Sequence, residues 1–132
     1  MENKPICKTD KYGNKWWYLE GILHREDGPA VEYTTGDKTW YFNGKCHRVD
    51  GPAVEYTNET KKWFINDKCH RIDKPAIEPC DGKIYYWYIN GHEITDEITQ
   101  WAKDNGIDLD NLTREDKALI KLVWADYSGI IK

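Results

Sequence analysis

The stretch HREDGPAVEY at residues 24–33 returns as HRVDGPAVEY at 47–56, changed at one position, and returns again as HRIDKPAIEP at 70–79. His24, His47 and His70 are thus spaced by 23 residues each time. Tryptophan keeps the same interval. NKWWYLEG (14–21), DKTWYFNG (37–44), TKKWFIND (60–67) and IYYWYING (84–91) set Trp17, Trp40, Trp63 and Trp87 apart by 23, 23 and 24 residues. A constant period in this range is the mark of supersecondary units that stack because none can bury its own apolar face.

Residue types inside a unit favour strands. AVEY and TWYF are rich in β-branched and aromatic residues, and TTGDK, Asn-Gly and Asp-Gly-Pro between them carry turn chemistry. Asn43-Gly44 and Asn90-Gly91 supply the two positive-φ positions of a type I′ hairpin. Pro29, Pro52 and Pro75 fall where a missing N–H is harmless to a ladder. The expected fold is mainly β: an antiparallel meander of stacked hairpin repeats of about 23 residues. A lead-in spans 1–11, four repeat units span 12–91, and a helical tail of the same single domain spans 92–132.

In that tail Thr95 is placed to cap a helix with Asp96 and Glu97 in its first turn, and Gly106 stands where a C′ residue would. Thr113 with Asp116 forms a capping box for a second helix. Leu119, Ile120, Leu122, Val123 and Tyr127 make its apolar stripe, with Trp124 beside it. Both helices need a surface, so the tail is expected to fold over one face of the sheet.

The repeat resembles a known type. An aromatic strand followed by NG every 23 residues or so is similar to MORN-type repeats with a WYxNG core. WYLEGILHREDGPAVEY (17–33) and WYFNGKCHRVDGPAVEY (40–56) resemble small repeat proteins frequent in bacteriophage genomes. The resemblance covers about residues 12–91 and implies a MORN-like stack. Glu20 and Asp67 depart from NG, Lys74 replaces Gly, and GHEI at 91–94 ends the pattern, as a terminal capping unit would.

Composition narrows the classes. Hydrophobic residues make up only 39%, yet 14% are aromatic, with seven Trp and nine Tyr, so the core rests on a few large rings. Residues 1–91 hold 14 basic and 14 acidic side chains, and 92–132 hold 5 and 9. Neutral repeats with an acidic tail do not offer a cationic footprint for an extended nucleic-acid backbone. No apolar run approaches the roughly 20 residues that span a bilayer, and MENKPICKTDKYGNK has no signal-peptide core. A soluble cytoplasmic chain is expected, in the host cytoplasm if phage-encoded.

The His-Arg-x-Asp block looks like acid–base chemistry. An active site, however, is one convergent constellation, whereas equivalent residues of stacked units form rows. The expectation is therefore structural: Asp satisfies turn amides, and His or Arg ties one unit to the next. Cys46-His47 and Cys69-His70 contain a zinc-type ligand set, but two strands per unit put equivalent residues roughly 9–10 Å apart. That is too far for one tetrahedral metal or for a disulfide. Neither a metal nor a cofactor is expected, and free thiols are.

Strand alternation sets Trp17, Trp40, Trp63 and Trp87 with Leu19, Phe42, Ile65 and Ile89 on one face, where the helices are expected. Tyr18, Tyr41, Phe64 and Tyr88 take the other face and, with Arg25, Arg48 and Arg71, are the candidate binding residues. No nucleophile elbow, phosphate loop, HExxH or CxxC occurs, so no catalytic residue is named and an enzyme is not expected. The leading expectation is a binding protein of phage type that engages and inhibits a host protein, with antiviral defence as the setting. Two others stand beside it. Rings and Arg could sequester a cyclic nucleotide without cleaving it, or the chain could be a structural component that assembles through its sheet edges into homo-oligomers.

Overall fold

The computed structural model describes residues 4–82 and 85–127. Residues 1–3 of the lead-in, Ile84 of the fourth tryptophan block and Ser128 lie outside them. In the first three repeats a strand leads into the tryptophan, and in all four a hairpin follows it. The segments before the tryptophan are β2 (Lys15–Leu19, which runs on through it), β5 (Lys38–Thr39) and β9 (Lys61–Lys62). They alternate in one antiparallel sheet with the VE or IE strands β4 (Val31–Glu32), β8 (Val54–Glu55) and β12 (Ile77–Glu78). The order is β1-β2-β4-β5-β8-β9-β12, with β1 (Ile6–Thr9) on the outer edge and β3 (Ile22–Leu23) returning along β2. The sequence-derived meander is thus present.

After the tryptophan, β6 (Tyr41–Phe42) pairs with β7 (Lys45–Cys46), β10 (Phe64–Ile65) with β11 (Lys68–Cys69), and β13 (Tyr88–Ile89) with β14 (His92–Glu93). All four hairpin turns place two residues at positive φ: Glu20/Gly21, Asn43/Gly44, Asn66/Asp67 and Asn90/Gly91. That is the requirement of a type I′ turn. Asp67 stands where the other turns have glycine, and its left-handed backbone is offset by a bond its side chain makes. Its Oδ1 accepts the Cys46 N–H at 2.7 Å.

Ala30, Ala53 and Ala76 are fully buried where sheet and hairpins meet. Their carbonyls accept the N–H of Trp17, Trp40 and Trp63, each at 2.8 Å. With no surface left exposed at these positions, a larger side chain would meet its neighbours.

The tail forms α1 (Thr95–Asp104) and α2 (Arg114–Trp124). The α1 terminus differs from expectation. Ile94 is the N-cap and makes no capping hydrogen bond through its side chain; Thr95 is the first helical residue, and its hydroxyl accepts the Trp87 N–H at 3.0 Å. Gly106 (φ 68°) closes the helix: its N–H donates to Lys103 O, and the Ile107 N–H to Ala102 O, the pairing of a Schellman motif. The Thr113/Asp116 capping box is formed.

The helices pack on the tryptophan face at the last unit, with Ile72 and Asp73 of the third at the margin. Trp87, Ile89, Ile94, Ile98, Ile120 and Trp124 form their core, edged by Ile72, Trp101, Leu109, Leu112 and Tyr127. The tail lies on the expected side of the sheet, and there it closes the end of the stack. The expected α2 stripe divides. Ile120 and Trp124 face inward, whereas Leu119, Leu122 and Val123 face solvent.

Candidate functional site

The three HRxD blocks form rows. His24 Nδ1 accepts the N–H of Asn43 at 2.9 Å, His47 Nδ1 that of Asn66 at 3.0 Å, and His70 Nδ1 that of Asn90 at 2.9 Å. Each imidazole thereby joins its own unit to the hairpin turn of the next. A nitrogen that accepts carries no proton, so these rings are neutral with the proton on Nε2. A second tie runs along the other end of each unit. The side chains of Asn14, Asp37 and Thr60 accept the N–H of Thr34, Thr57 and Cys80, twenty residues on. The bond from Thr57 is the main reason the Asp37 carboxyl lies below its usual range. Backbone bonds complete each junction: Gly44, Asp67 and Gly91 N–H donate to Leu23, Cys46 and Cys69 O.

Arginine works within its own unit. The guanidinium carbons of Arg25, Arg48 and Arg71 lie 4.0, 3.9 and 3.7 Å from the ring centres of Trp17, Trp40 and Trp63. Their Nη1 groups donate to Pro29, Pro52 and Pro75 O and to Glu32, Glu55 and Glu78. Asp27 and Asp50 accept from Nε of Arg25 and Arg48. The bond from Arg25 is the main reason the Asp27 carboxyl lies below its usual range, and a backbone N–H at Asp27 adds to it.

The third unit differs for a steric reason. A Cβ at Gly28 or Gly51 would stand 3.0 or 2.9 Å from the Arg carbon, and Lys74 carries such a Cβ. Asp73 there lies 3.8 Å from Lys121 of α2.

The candidate binding residues therefore part company. Arg25, Arg48 and Arg71 stack on tryptophan beside carboxylates, which places negative charge where a nucleotide phosphate would approach. Tyr18, Tyr41, Phe64 and Tyr88 are half-buried on the other face, opposite Leu23, Cys46, Cys69 and Glu93. Burial pushes the Tyr41 and Tyr88 hydroxyls above their usual range, and raises the Cys46 and Cys69 thiols to about 12 and about 11. At those values the thiols stay protonated and unreactive at neutral pH.

Register extends this face past the rings singled out from sequence. Trp16, Val31, Thr39, Val54, Lys62 and Ile77 lie opposite one another across the long sheet and so share one side. Lys15, Glu32, Lys38, Glu55, Lys61 and Glu78 alternate in charge along the other. Two residues on from Val31 and Val54 stand Tyr33 and Tyr56, 38% and 40% exposed. Tyr33 meets Trp16 edge-on at 5.9 Å, and Lys62 lies over Tyr56 at 5.5 Å. Trp16, Tyr33 and Tyr56 were missed from sequence, although the period-two alternation of AVEY marks the two tyrosines. The face has a cation at one end, Lys8 over Tyr18 at 5.4 Å, and an anion at the other, Glu93 accepting from the Tyr88 hydroxyl at 3.4 Å.

Comparison with family models, with curated proteins and with solved structures gives no match.

Proposed function

We propose that this chain is a non-enzymatic binding protein whose aromatic face docks on another protein. One observation carries the reading: Trp16, Tyr18, Tyr33, Tyr41, Tyr56, Phe64 and Tyr88 are gathered on one side of a hydrogen-bonded scaffold, each exposed or half-buried. Tyrosine and tryptophan lead the residues that dominate protein interfaces, and a surface ordered beforehand loses little entropy on docking. The resemblance to MORN-like repeats of phage genomes favours a host protein as the partner, inhibited when bound, in the setting of antiviral defence. Arg25, Arg48 and Arg71 act in this reading as the frame behind the rings, since their donors are turned to proline carbonyls and carboxylates.

The test compares the wild-type chain with a Tyr33→Ser/Tyr56→Ser variant in co-purification from host lysate, with tryptophan circular dichroism to confirm folding. One stoichiometric host protein recovered by the wild type and lost by the folded variant supports the reading. Equal recovery by both removes the aromatic face from it.

A further inference from the structure

Two departures from the repeat meet in one cleft. Lys74 stands where the first two units have Gly28 and Gly51, although a Cβ at those positions crowds the arginine. Tyr85 stands two places before its tryptophan, where Lys15, Lys38 and Lys61 precede theirs. A local rule broken at the cost of fit points to a site. The cleft, of about 940 Å³, lies between the last repeat and the helices, and Lys74, Tyr85, Trp87, Thr95 and Lys117 line it. Tyr85 is 38% exposed and shares its side of the strand with Trp87. Lys117 is one turn before Lys121, which reaches Asp73, so the same junction brings Lys117 and Lys74 together. Among the described residues neither of these two lysines has an ion-pair partner. Two carboxylates also line the cleft: Glu78, held by Arg71 at 2.9 Å, and Asp110, which is exposed. With Glu78 answered by Arg71, two lysines against Asp110 leave one positive charge in excess.

We infer that this cleft binds a nucleoside monophosphate, with the base on the Tyr85 ring and the phosphate between Lys74 and Lys117. A half-exposed ring at the wall of a cleft offers its face to a planar base. Two neighbouring ammonium groups repel each other until an anion stands between them, and each then donates a charge-assisted hydrogen bond to it. Thr95 adds a donor: its oxygen accepts the Trp87 N–H, so its own O–H remains to be given. Asp110 limits the charge that is welcome, which suits one phosphate and not a chain of them. The volume lies in the range of small-molecule sites. Because the cleft is on the tryptophan side of the sheet, opposite the aromatic face, it stands whether or not that face docks on a protein.

The test is equilibrium dialysis of the full chain against AMP, GMP, CMP and UMP in turn, with the matching nucleoside and inorganic phosphate as competitors. At least one nucleotide is expected to bind, and its nucleoside and inorganic phosphate each to bind at least roughly tenfold more weakly. Lys74→Gly and Lys117→Gln should each weaken binding roughly tenfold. Tyr85→Lys should weaken it too, although it adds a positive charge. Glycine and lysine are the residues that other units hold at positions 74 and 85, so these variants keep the fold, which tryptophan near-ultraviolet dichroism checks. Tyr33→Ser/Tyr56→Ser should leave nucleotide binding unaltered, so the cleft and the aromatic face are read separately. No binding of any of the four at about 1 mM overturns the inference. So does inorganic phosphate that binds as well as the nucleotide, or a Tyr85→Lys variant that binds more tightly, since the lysines would then answer to charge alone.

Discussion

An interior repeat and the last one begin alike and end differently. In the interior, the residue seven places after the tryptophan is histidine and the next is arginine; after Trp87 the same places hold Ile94 and Thr95. The backbone does not register the change, for the N–H at the seventh place donates to the tryptophan carbonyl in all four units, from His24, His47, His70 and Ile94. The side chains do. His24 reaches forward to the next turn, whereas Ile94 is fully buried against the helices. Arginine covers the interior indoles, whereas the helical core covers Trp87, which is 3% exposed. A unit with a successor is thus joined to it by directional polar bonds, and a unit without one is closed by apolar burial. This difference makes the stack extend by rows and stop at a definite place.

The most damaging change makes the last unit resemble the others. Ile94→His places an imidazole among Ile98, Ile120 and Trp124 with no following turn to donate to it. It is expected to cost about 3–5 kcal/mol, combining lost apolar burial with a desolvated polar group. Urea unfolding followed by tryptophan fluorescence measures it, and a loss below about 1 kcal/mol would erase the contrast between the two kinds of unit. The reverse change in the interior is milder. His24→Ala strands the Asn43 N–H and removes a ring packed 4.5 Å from Phe42, for an expected loss of about 2 kcal/mol. His47→Ala, at a half-buried ring where His24 is buried, is expected to cost about 1 kcal/mol in the same assay.

Arg48→Lys sharpens the second half of the comparison. Lysine keeps the charge but loses the flat stack on Trp40 and the paired donation to Pro52 and Glu55. About 1 kcal/mol of stability is expected to go, with a change in the tryptophan near-ultraviolet dichroism.

Acid separates the two kinds of unit without mutation. Burial holds the His70 imidazole below its ordinary 6.5, while Nδ1 must stay unprotonated to accept from Asn90. The unfolded chain therefore binds the proton more tightly. Stability is full above about pH 6.5 and declines as pH falls from there toward the lowered folded value. Urea midpoints across this range should show the decline, and His70→Ala should flatten it. The smallest effect expected is that of Gly51→Lys, which copies the third unit into the second. The Arg48–Asp50 contact should break, for about 0.5 kcal/mol at this exposed pair, and the Arg48 Nε–H signal by NMR reports it.

The period, the hairpin turns and the α2 capping box were readable because each rests on residue types at fixed local spacing. Which residues of α2 turn inward was not. Helical spacing marks Ile120 and Trp124 as one stripe and Leu119, Leu122 and Val123 as its neighbour, and only tertiary packing decides which of the two turns inward. The arginines were read as available to a ligand, yet the constant eight-residue step from tryptophan to arginine, broken at Thr95, was a legible sign of a ring each one covers. The rings of Tyr18, Tyr41, Phe64 and Tyr88 were readable by alternation, whereas Trp16, Tyr33 and Tyr56 joined them through strand register, which a single sequence does not display.

The central claim is that successive units are joined by imidazoles in a row. Nitrogen-15 NMR of the imidazoles, with detection of couplings across hydrogen bonds, tests it directly. The expected result is three correlations in unit order, from the amides of Asn43, Asn66 and Asn90 to the unprotonated Nδ1 of His24, His47 and His70. Protons found on Nδ1, or correlations that skip units or converge on one centre, would contradict it.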